Sequence, residues 1–547
     1  MALARHRLGA ILGRPDARAL AEGPLPSRTW VPGDFLPPGS RPQDRDALLQ
    51  GRFRFLSRTE QVGWPPRWDD PDLSRLWAYN LHYFEYLWDL DFSAACEVAE
   101  DWIARHEPGP GRTGWEPYPT SLRLVNWTAY FFGRHAAALA AEPDLERRLI
   151  ASITAQADHL AAHLERHLLG NHLFENALAL AFCGACFDGP AGSRWLRAGI
   201  ELLEAQLAEQ VLADGGHFER SPMYHVRIAY GLRCLRDTGH PELVALVSEP
   251  LDRMVAALGR LCHPDGEIAL LNDAAFGIYN APSDLGAVSV EGSFALPDTG
   301  YFGAATRSGH YVVCDAAPIG PDYLPGHAHA DMLSFELSFA GHRVIVDAGV
   351  YGYEVDELRR WCRSTHAHNT VEIDGEDQCE MWSAFRVARR GWPRDVRFTS
   401  HEGGFSLDAW HDGYRRLPGR PVHRRRFRWH DEGVLMVRDD VEANASVVAR
   451  SRLHLHPSCE VLELGADAAR LRYPGGEFRI CFAEEGTLER EASTYHPEFG
   501  LCEESTALVF TPKAARSAFG FCISNGSGAP SWSLSSGVSL DGRSFAW

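Results

Sequence analysis

The chain is 547 residues long with a formal net charge of −19, and it is 45% hydrophobic and 23% charged. That length exceeds one hydrophobic core and implies roughly two to four domains of ordinary soluble composition. The acidic balance excludes a broad nucleic-acid-binding face, while a locally basic cleft would still accept an anionic sugar.

The first twenty residues, MALARHRLGAILGRPDARAL, have a basic start but no apolar stretch before Arg14, Asp16 and Arg18. No secretory signal is expected, so a cytoplasmic location is, with export by another route left open. No segment has the apolar length of a membrane span, and no membrane partner is expected. Residues 1–70, rich in Pro, Arg and Gly, read as an irregular lead-in.

Residues 71–295 read as helical. Leu149, Ile153, Leu160, Leu164 and Leu168 recur at helical spacing, and similar runs cover 76–89, 119–140, 171–187, 194–212, 222–237 and 241–262. Stop signals separate them: Glu107-Pro108-Gly109-Pro110, Asp188-Gly189-Pro190 and Pro264-Asp265-Gly266. Many helices with short connections suggest a helical array or toroid. The twelve cysteines are scattered, unlike a small disulfide scaffold, and Cys183 and Cys186 read as buried thiols on a helix.

Residues 296–547 change period. Leu333, Phe335, Leu337 and Phe339 alternate with Ser334, Glu336 and Ser338, the pattern of a half-buried strand, with a turn at Gly341-His342. Residues 424–429 and 434–437 flank Asp431-Glu432-Gly433 as a hairpin, and strands follow near 453–455, 478–482 and 507–511. An antiparallel β-sandwich is expected here. His454 and His456 are expected to be structural.

The chemistry-bearing residues cluster. Gly326-His327-Ala328-His329-Ala330-Asp331 is followed by Asp347 and then by Thr365-His366-Ala367-His368-Asn369. Singly, each histidine reads as a polar loop residue. Together, His329, Asp347 and His368 read as a zinc shell of imidazole nitrogens and a carboxylate. The dinuclear hydrolase pattern His-x-His-x-Asp-His is broken, because Met332 follows Asp331. In the helical half, GNHLFEN (170–176) opens one helix. DGGHFERSPMYH (214–225) precedes another, with Ser221 as its cap and Pro222 at its first position. That capping role does not explain Asn171, His172, Tyr224 and His225 gathering at helix starts, which favour anions.

These segments, with GHAHADMLSFELSFAGHRVIVDAG and HAHNTVEIDG, resemble in order those of the heparinase II/III-family polysaccharide lyases over roughly residues 70–400. The resemblance implies an incomplete (α/α) toroid followed by a β-sandwich, with a cleft between them. It implies that Asn171 meets the uronate carboxylate, that His172, Tyr224 and His327 are catalytic, and that His329, Asp347 and His368 hold one structural zinc. A further tyrosine occurs near the metal in some relatives, and Tyr351 and Tyr353 both lie close enough in sequence to serve.

A lyase removes the C5 proton of a uronate and expels the sugar at C4. The adjacent carboxylate makes that proton weakly acidic, so its charge must be masked, by Asn171 aided by His327 or Arg123. Tyr224 serves as acid, or as base if deprotonated, with His172 the base for the opposite epimer. The zinc is expected to pin the loop that aims His327 rather than to act as a Lewis acid. Further substrate-contacting candidates are Tyr79, Asn80, His82, Arg123, Asn126, Trp127, Glu219, His225 and Arg386, with Arg389 and Arg390 beside it. The expected partner is an anionic polysaccharide; oligomeric state is not legible. Two other readings stand beside the lyase. A glycoside hydrolase would draw two carboxylates from Glu175, Glu219 and Asp273, and a non-catalytic protein would bind or assemble polysaccharide.

Overall fold

The computed structural model describes residues 25–27, 31, 33–109, 111–513, 518–526, 528, 530–540 and 542–546. The expectation for the first twenty residues therefore lies outside the described residues. Among the described residues no helix is long and apolar enough to cross a membrane.

The chain forms two compact units. One holds residues up to 211 with 227–252 and 277–280; the other holds 212–226, 253–276 and 281 onward. The segment carrying Glu219, Tyr224 and His225 thus groups with the sandwich rather than with the helices that flank it in sequence. The lead-in is only partly irregular: Arg52–Phe55 and Arg58–Gln61 pair as an antiparallel hairpin whose Phe53 and Phe55 are buried.

The main helices of the first unit are Arg75–Tyr83, Phe92–Arg105, Pro117–Trp127, Pro143–Ala162, Gly170–Cys186 and Gly189–Gln210. Pro143–Ala162 buries Leu149, Ile153 and Leu160, as the stripe predicts, but the helix ends before Leu164 and Leu168, and Leu168 is exposed. The run expected at 119–140 is also interrupted, by a π-helical stretch, Thr128–Arg134. Gly170–Cys186 and Gly189–Gln210 approach so closely that a Cβ on Gly184 would lie 2.3 Å from Leu196 N, and one on Gly199 2.4 Å from Ala181 N. Only glycine permits that spacing. Cys183 and Cys186 are buried free thiols on this interface helix.

The second unit contains two large antiparallel sheets, with a small three-stranded sheet and a short hairpin beside them. One runs, in spatial order, Gly486–Tyr495, Glu503–Pro512, Ala449–Leu455, His342–Ile345, Phe335–Phe339, Tyr311–Asp315, Tyr301–Ala305, Gly292–Leu296, with Val371–Ile373 also paired to Ala449–Leu455. The other runs Pro393–His401, Gly404–His411, Val422–His430, Val434–Glu442, Phe519–Asn525, Gly476–Ala483, Ala468–Tyr473, Glu460–Leu464. Their facing side chains share one core, in which Phe335, Leu337, Leu453 and Leu508 meet Phe427, Trp429, Leu435 and Phe521. Each such burial contributes about 1.5–3 kcal/mol. Val422–His430 alternates between buried and half-buried, as expected of a one-sided strand. Phe335–Phe339 does not: all five residues are buried, correcting the half-buried expectation. Its polar residues are satisfied internally. Glu336 accepts from Leu270 N at 2.6 Å and pairs with Arg343 at 3.1 Å, and Ser338 Oγ lies 2.7 Å from His263 Nδ1.

Candidate active site

In the sandwich unit, loop 214–221 is fastened before the tyrosine helix begins. Asp214 accepts from Gly216 N, Thr299 N and Thr299 Oγ at 3.0, 2.7 and 2.8 Å. Ser221 Oγ then accepts from Tyr224 N at 3.3 Å, capping helix Pro222–Asp237. This anchored first turn presents Tyr224 to the loop of His327. Their rings stack at 4.1 Å with 13° between planes, and Tyr224 Oη lies 3.0 Å from Tyr353 Oη. His327 Nδ1 bonds the buried Glu219 carboxylate. A carboxylate on Nδ1 sets the tautomer and leaves proton transfer to Nε2. The structure thus brings Tyr224, His327 and Glu219 together and adds Tyr353, which spacing alone did not distinguish from Tyr351. Glu219, expected to touch substrate, instead lies buried beneath His327.

Beside them, His329, Asp347 and His368 are buried and each offers a ligand atom within 4.8 Å of the others. His329 Nε2 bonds Asp273 Oδ1 at 2.9 Å, and His368 Nδ1 bonds Asp347 Oδ2 at 2.7 Å. The opposite ring nitrogens, His329 Nδ1 and His368 Nε2, are buried without a hydrogen-bond partner, as is Asp331 Oδ2. Burial, resisted by His368 and reinforced by Asp347, pushes the Asp331 carboxyl up to about 6. Burial likewise drives Asp315 well above its ordinary range, with the charge of Asp331 adding to it. Orphaned imidazole nitrogens amid excess buried negative charge are what a cation would relieve. The group could therefore hold a metal.

Asp273 also accepts from Arg359, Nη2 to Oδ2 at 2.7 Å. Burial opposes its charge, but Arg359 and His329 outweigh burial and hold its carboxyl below the usual range. Arg359 and Arg363, both buried on helix Glu357–Arg363, further donate to Ala384 O at 3.0 Å and Ser383 O at 2.6 Å. They mount a hairpin, Met381–Ser383 with Arg386–Val387, whose Trp382 and Phe385 are 65% and 41% exposed and whose Arg386 is exposed. The Phe385 ring centroid lies 6.3 Å from that of His327.

The helical unit carries a second cluster. Leu169 and Gly170, with φ of 63° and 54°, turn the chain into helix Gly170–Cys186, whose first turn bears Asn171 and His172. Asn171 is buried. His172 Nδ1 lies 3.0 Å from Glu165 Oε1, and its ring centroid is 4.5 Å from that of Tyr118. Glu165 is held in turn by Asn176, which donates to Oε2 at 3.0 Å and accepts from Glu165 N at 2.8 Å.

Several expected substrate contacts are corrected by burial. Arg123 spends its donors on Gln156 Oε1, Gly114 O and His82 O at 2.8, 2.8 and 3.2 Å and lies over the Trp102 ring. His82 is buried between Trp68 O at 3.1 Å and Trp102 Nε1 at 3.2 Å. Asn126 joins Tyr83 O to Trp88 Nε1, and Trp127 is wholly buried. His225 is buried with Nε2 2.8 Å from Met254 O, and burial pulls it down to about 4. His82, Arg123 and Trp127 are fully covered, and Asn126 and His225 spend the polar atoms named here on partners within the protein. Tyr79 bonds Glu116 and receives Arg75 Nη2 at 3.0 Å, and half-buried Asn80 donates to Leu76 O at 2.8 Å within its own helix. Sequence reasoning missed Glu165 and Arg359. Glu165 lies in a loop with no periodicity. Arg359 and Arg363 stand four apart on one short helix, a spacing that could have marked a shared buried face.

Comparison with known proteins matches residues 92–280 to "Heparinase II/III N-terminus" and residues 289–533 to "Heparinase II/III-like, C-terminal". FtsZ-localized protein C of Caulobacter vibrioides is 28% identical over 445 residues, 75% of this chain and 71% of that protein. A heparin-sulfate lyase of Pedobacter heparinus is 28% identical over 323 residues, 51% of this chain and 47% of its own length. The chain thus spans about half the length of that lyase. Among solved structures, heparinase III aligns with a TM-score of 0.72 at 16% identity, covering 95% of this chain and 93% of that one. A mutant heparan sulfate lyase from Pedobacter heparinus aligns at 0.66 and 20%, covering 100% and 93%. The shared fold is an (α/α) toroid followed by an antiparallel β-sandwich.

Proposed function

This chain belongs to the heparinase II/III-like family, and we propose that it cleaves a uronate-containing acidic polysaccharide by β-elimination. The observation that carries this is the phenol–imidazole pair: Tyr224 stacked on His327 and bonded to Tyr353, with Glu219 fixing the imidazole. In the proposed reaction a base takes the C5 proton and the C5–H electrons pass into the adjacent carboxylate, giving a dianionic intermediate. Those electrons then form the C4=C5 double bond as the C4–O bond breaks, and the departing oxygen takes a proton from an acid. Tyr224 is the acid, and with its proton lost also the base; Nε2 of His327 shuttles the proton. Asn171 is assigned to the uronate carboxylate, where a neutral donor lowers the cost of the dianionic intermediate. His172, held by Glu165, is assigned as base for the opposite C5 epimer.

The carboxylates a hydrolase would need are already engaged. Glu175 makes a two-point pair with Arg227 at 2.6 and 2.7 Å, Glu219 holds His327, and Asp273 holds Arg359 and His329. Two nitrogen donors and a carboxylate suit zinc. His329, Asp347 and His368 would hold it, and its contribution would be a fixed charge that pins the loop carrying His327.

The test is ultraviolet absorbance of the unsaturated uronate, followed over heparan sulfate, hyaluronan, chondroitin, alginate and bacterial exopolysaccharides. Absorbance growing on one of them, and abolished in Tyr224→Phe, is expected. Reducing ends without absorbance would mean hydrolysis, and polymer retention with neither would mean a binding protein. A second reading, a role at the division site, draws on the match to FtsZ-localized protein C, which spans more of both chains than the lyase match does. A fluorescent fusion that stays diffuse in dividing cells would remove it.

A further inference from the structure

We propose that Asp273 and Arg359 are a positioning pair that ties the His329–Asp347–His368 group to the tyrosines and His327. The proposal rests on that group being a metal site, and four contacts of one residue support it. The Asp273 carboxylate receives His329 Nε2 at 2.9 Å, so His329 presents Nδ1, its orphaned nitrogen, to the group. Asp273 N–H donates to His327 O at 3.1 Å, so the same residue grips the main chain of the acid–base histidine. Asp273 C=O accepts from Ser221 Oγ, the atom that caps Tyr224. The second carboxylate oxygen receives Arg359 Nη2 at 2.7 Å.

Arg359 carries the link onward. Its guanidinium carbon lies 4.9 Å from the Tyr353 ring centroid and 5.4 Å from that of Phe385, and its Nε holds Ala384 O. Both residues are buried, so the pair reaches no substrate and acts only through what it holds. A metal drawn to His329 Nδ1 favours the tautomer that Asp273 also favours, so occupancy and the set of the site reinforce each other. The arrangement uses a charged acceptor at 273 and a forked donor at 359, whose Nε and Nη2 serve the Ala384 carbonyl and the Asp273 carboxylate separately; lysine would bring one nitrogen in place of two.

The test is Asp273→Asn in the full chain. Zn2+ affinity is read by competition with a chromophoric chelator, and ligand geometry by the visible spectrum of the Co2+-loaded protein. The expected result is a roughly 10–100-fold loss of Zn2+ affinity and an altered Co2+ spectrum, with far-ultraviolet circular dichroism unchanged. Arg359→Lys is expected to lose less affinity, to change the Co2+ spectrum, and to lower kcat with KM unchanged on any polymer the wild type turns over. Wild-type affinity and spectrum in Asp273→Asn overturn the pair. If that variant does not fold, the same wild-type values in Arg359→Lys overturn it. A wild-type chain that takes up no Zn2+ overturns it too. Zinc binding that weakens as expected in a chain that cleaves no polysaccharide keeps the pair and removes the lyase assignment instead.

Discussion

His172 in the helical unit and His327 in the sandwich unit are both held at Nδ1 by a buried glutamate, Glu165 and Glu219. Their construction differs. Glu165 is seven residues from His172, and Asn176 of the same helix locks it. Glu219 is 108 residues from His327. The His172 side chain is 30% exposed beside Tyr118, whereas that of His327 is 14% exposed and stacked on Tyr224. A locally built dyad survives as long as its helix does. A dyad built across the chain depends on loop anchors and on Asp273, which bonds both the His327 main chain and His329, part of the group that could hold a metal. The two should therefore fail differently.

The largest effect is expected at the long-range dyad. Tyr224→Phe keeps the ring stack and removes the hydroxyl, so kcat should fall about 10²–10⁴-fold with the melting temperature unchanged, measured by uronate absorbance. A similar loss of stability would make Tyr224 a structural residue. In the helical unit the strongest lever is stability rather than rate. Glu175→Gln strands Arg227, and chemical denaturation should show a loss of about 3–5 kcal/mol. A loss below about 1 kcal/mol would mean that water reaches Arg227. Glu219→Gln should next lower kcat by on the order of 10²-fold, because the wrong His327 tautomer becomes accessible. Glu165→Gln should cost about 10-fold or less on the same polymer, since Asn176 still orders the loop. Equal losses would erase the contrast between the two dyads.

The smallest effect is the pH dependence of stability. Burial pulls His225 down to about 4, and burial aided by His163 pulls His159 down to about 4. Unfolded, each has an ordinary pKa near 6.5. Between those values the unfolded chain binds more protons, so stability rises with pH and is lost as pH falls from about 6.5 to 4. Each group adds at most about 1.4 kcal/mol per pH unit. His225→Gln and His159→Gln should each flatten the fall in melting temperature over that window.

Much of this was legible in the sequence where a side chain's task is local. The helical stripe of Pro143–Ala162, the hairpin around Gly433 and the Ser221 cap follow from spacing and turn chemistry. His329, Asp347 and His368 were legible because metal-ligand types clustered in order. What failed needed tertiary information. Arg123, His82, Asn126 and Trp127 look like sugar contacts in sequence, since a buried arginine and an exposed one are written alike; only the carbonyls that satisfy Arg123 tell them apart. Glu336 alternates as an outward residue yet is covered on both faces. The tie between Asp273 and Arg359 spans 86 residues, beyond any local pattern.

The hairpin at 381–387 has a consequence for divergence. Arg359 and Arg363 grip it through the backbone carbonyls of Ala384 and Ser383, groups every amino acid carries. Its outward positions, Trp382, Phe385 and Arg386, are thereby released from any duty to keep the hairpin in place. Exchanges at those three positions would leave the two carbonyl contacts, and with them the placement of the hairpin beside the His327 ring, as they are, so this stretch can vary outwardly at little structural cost.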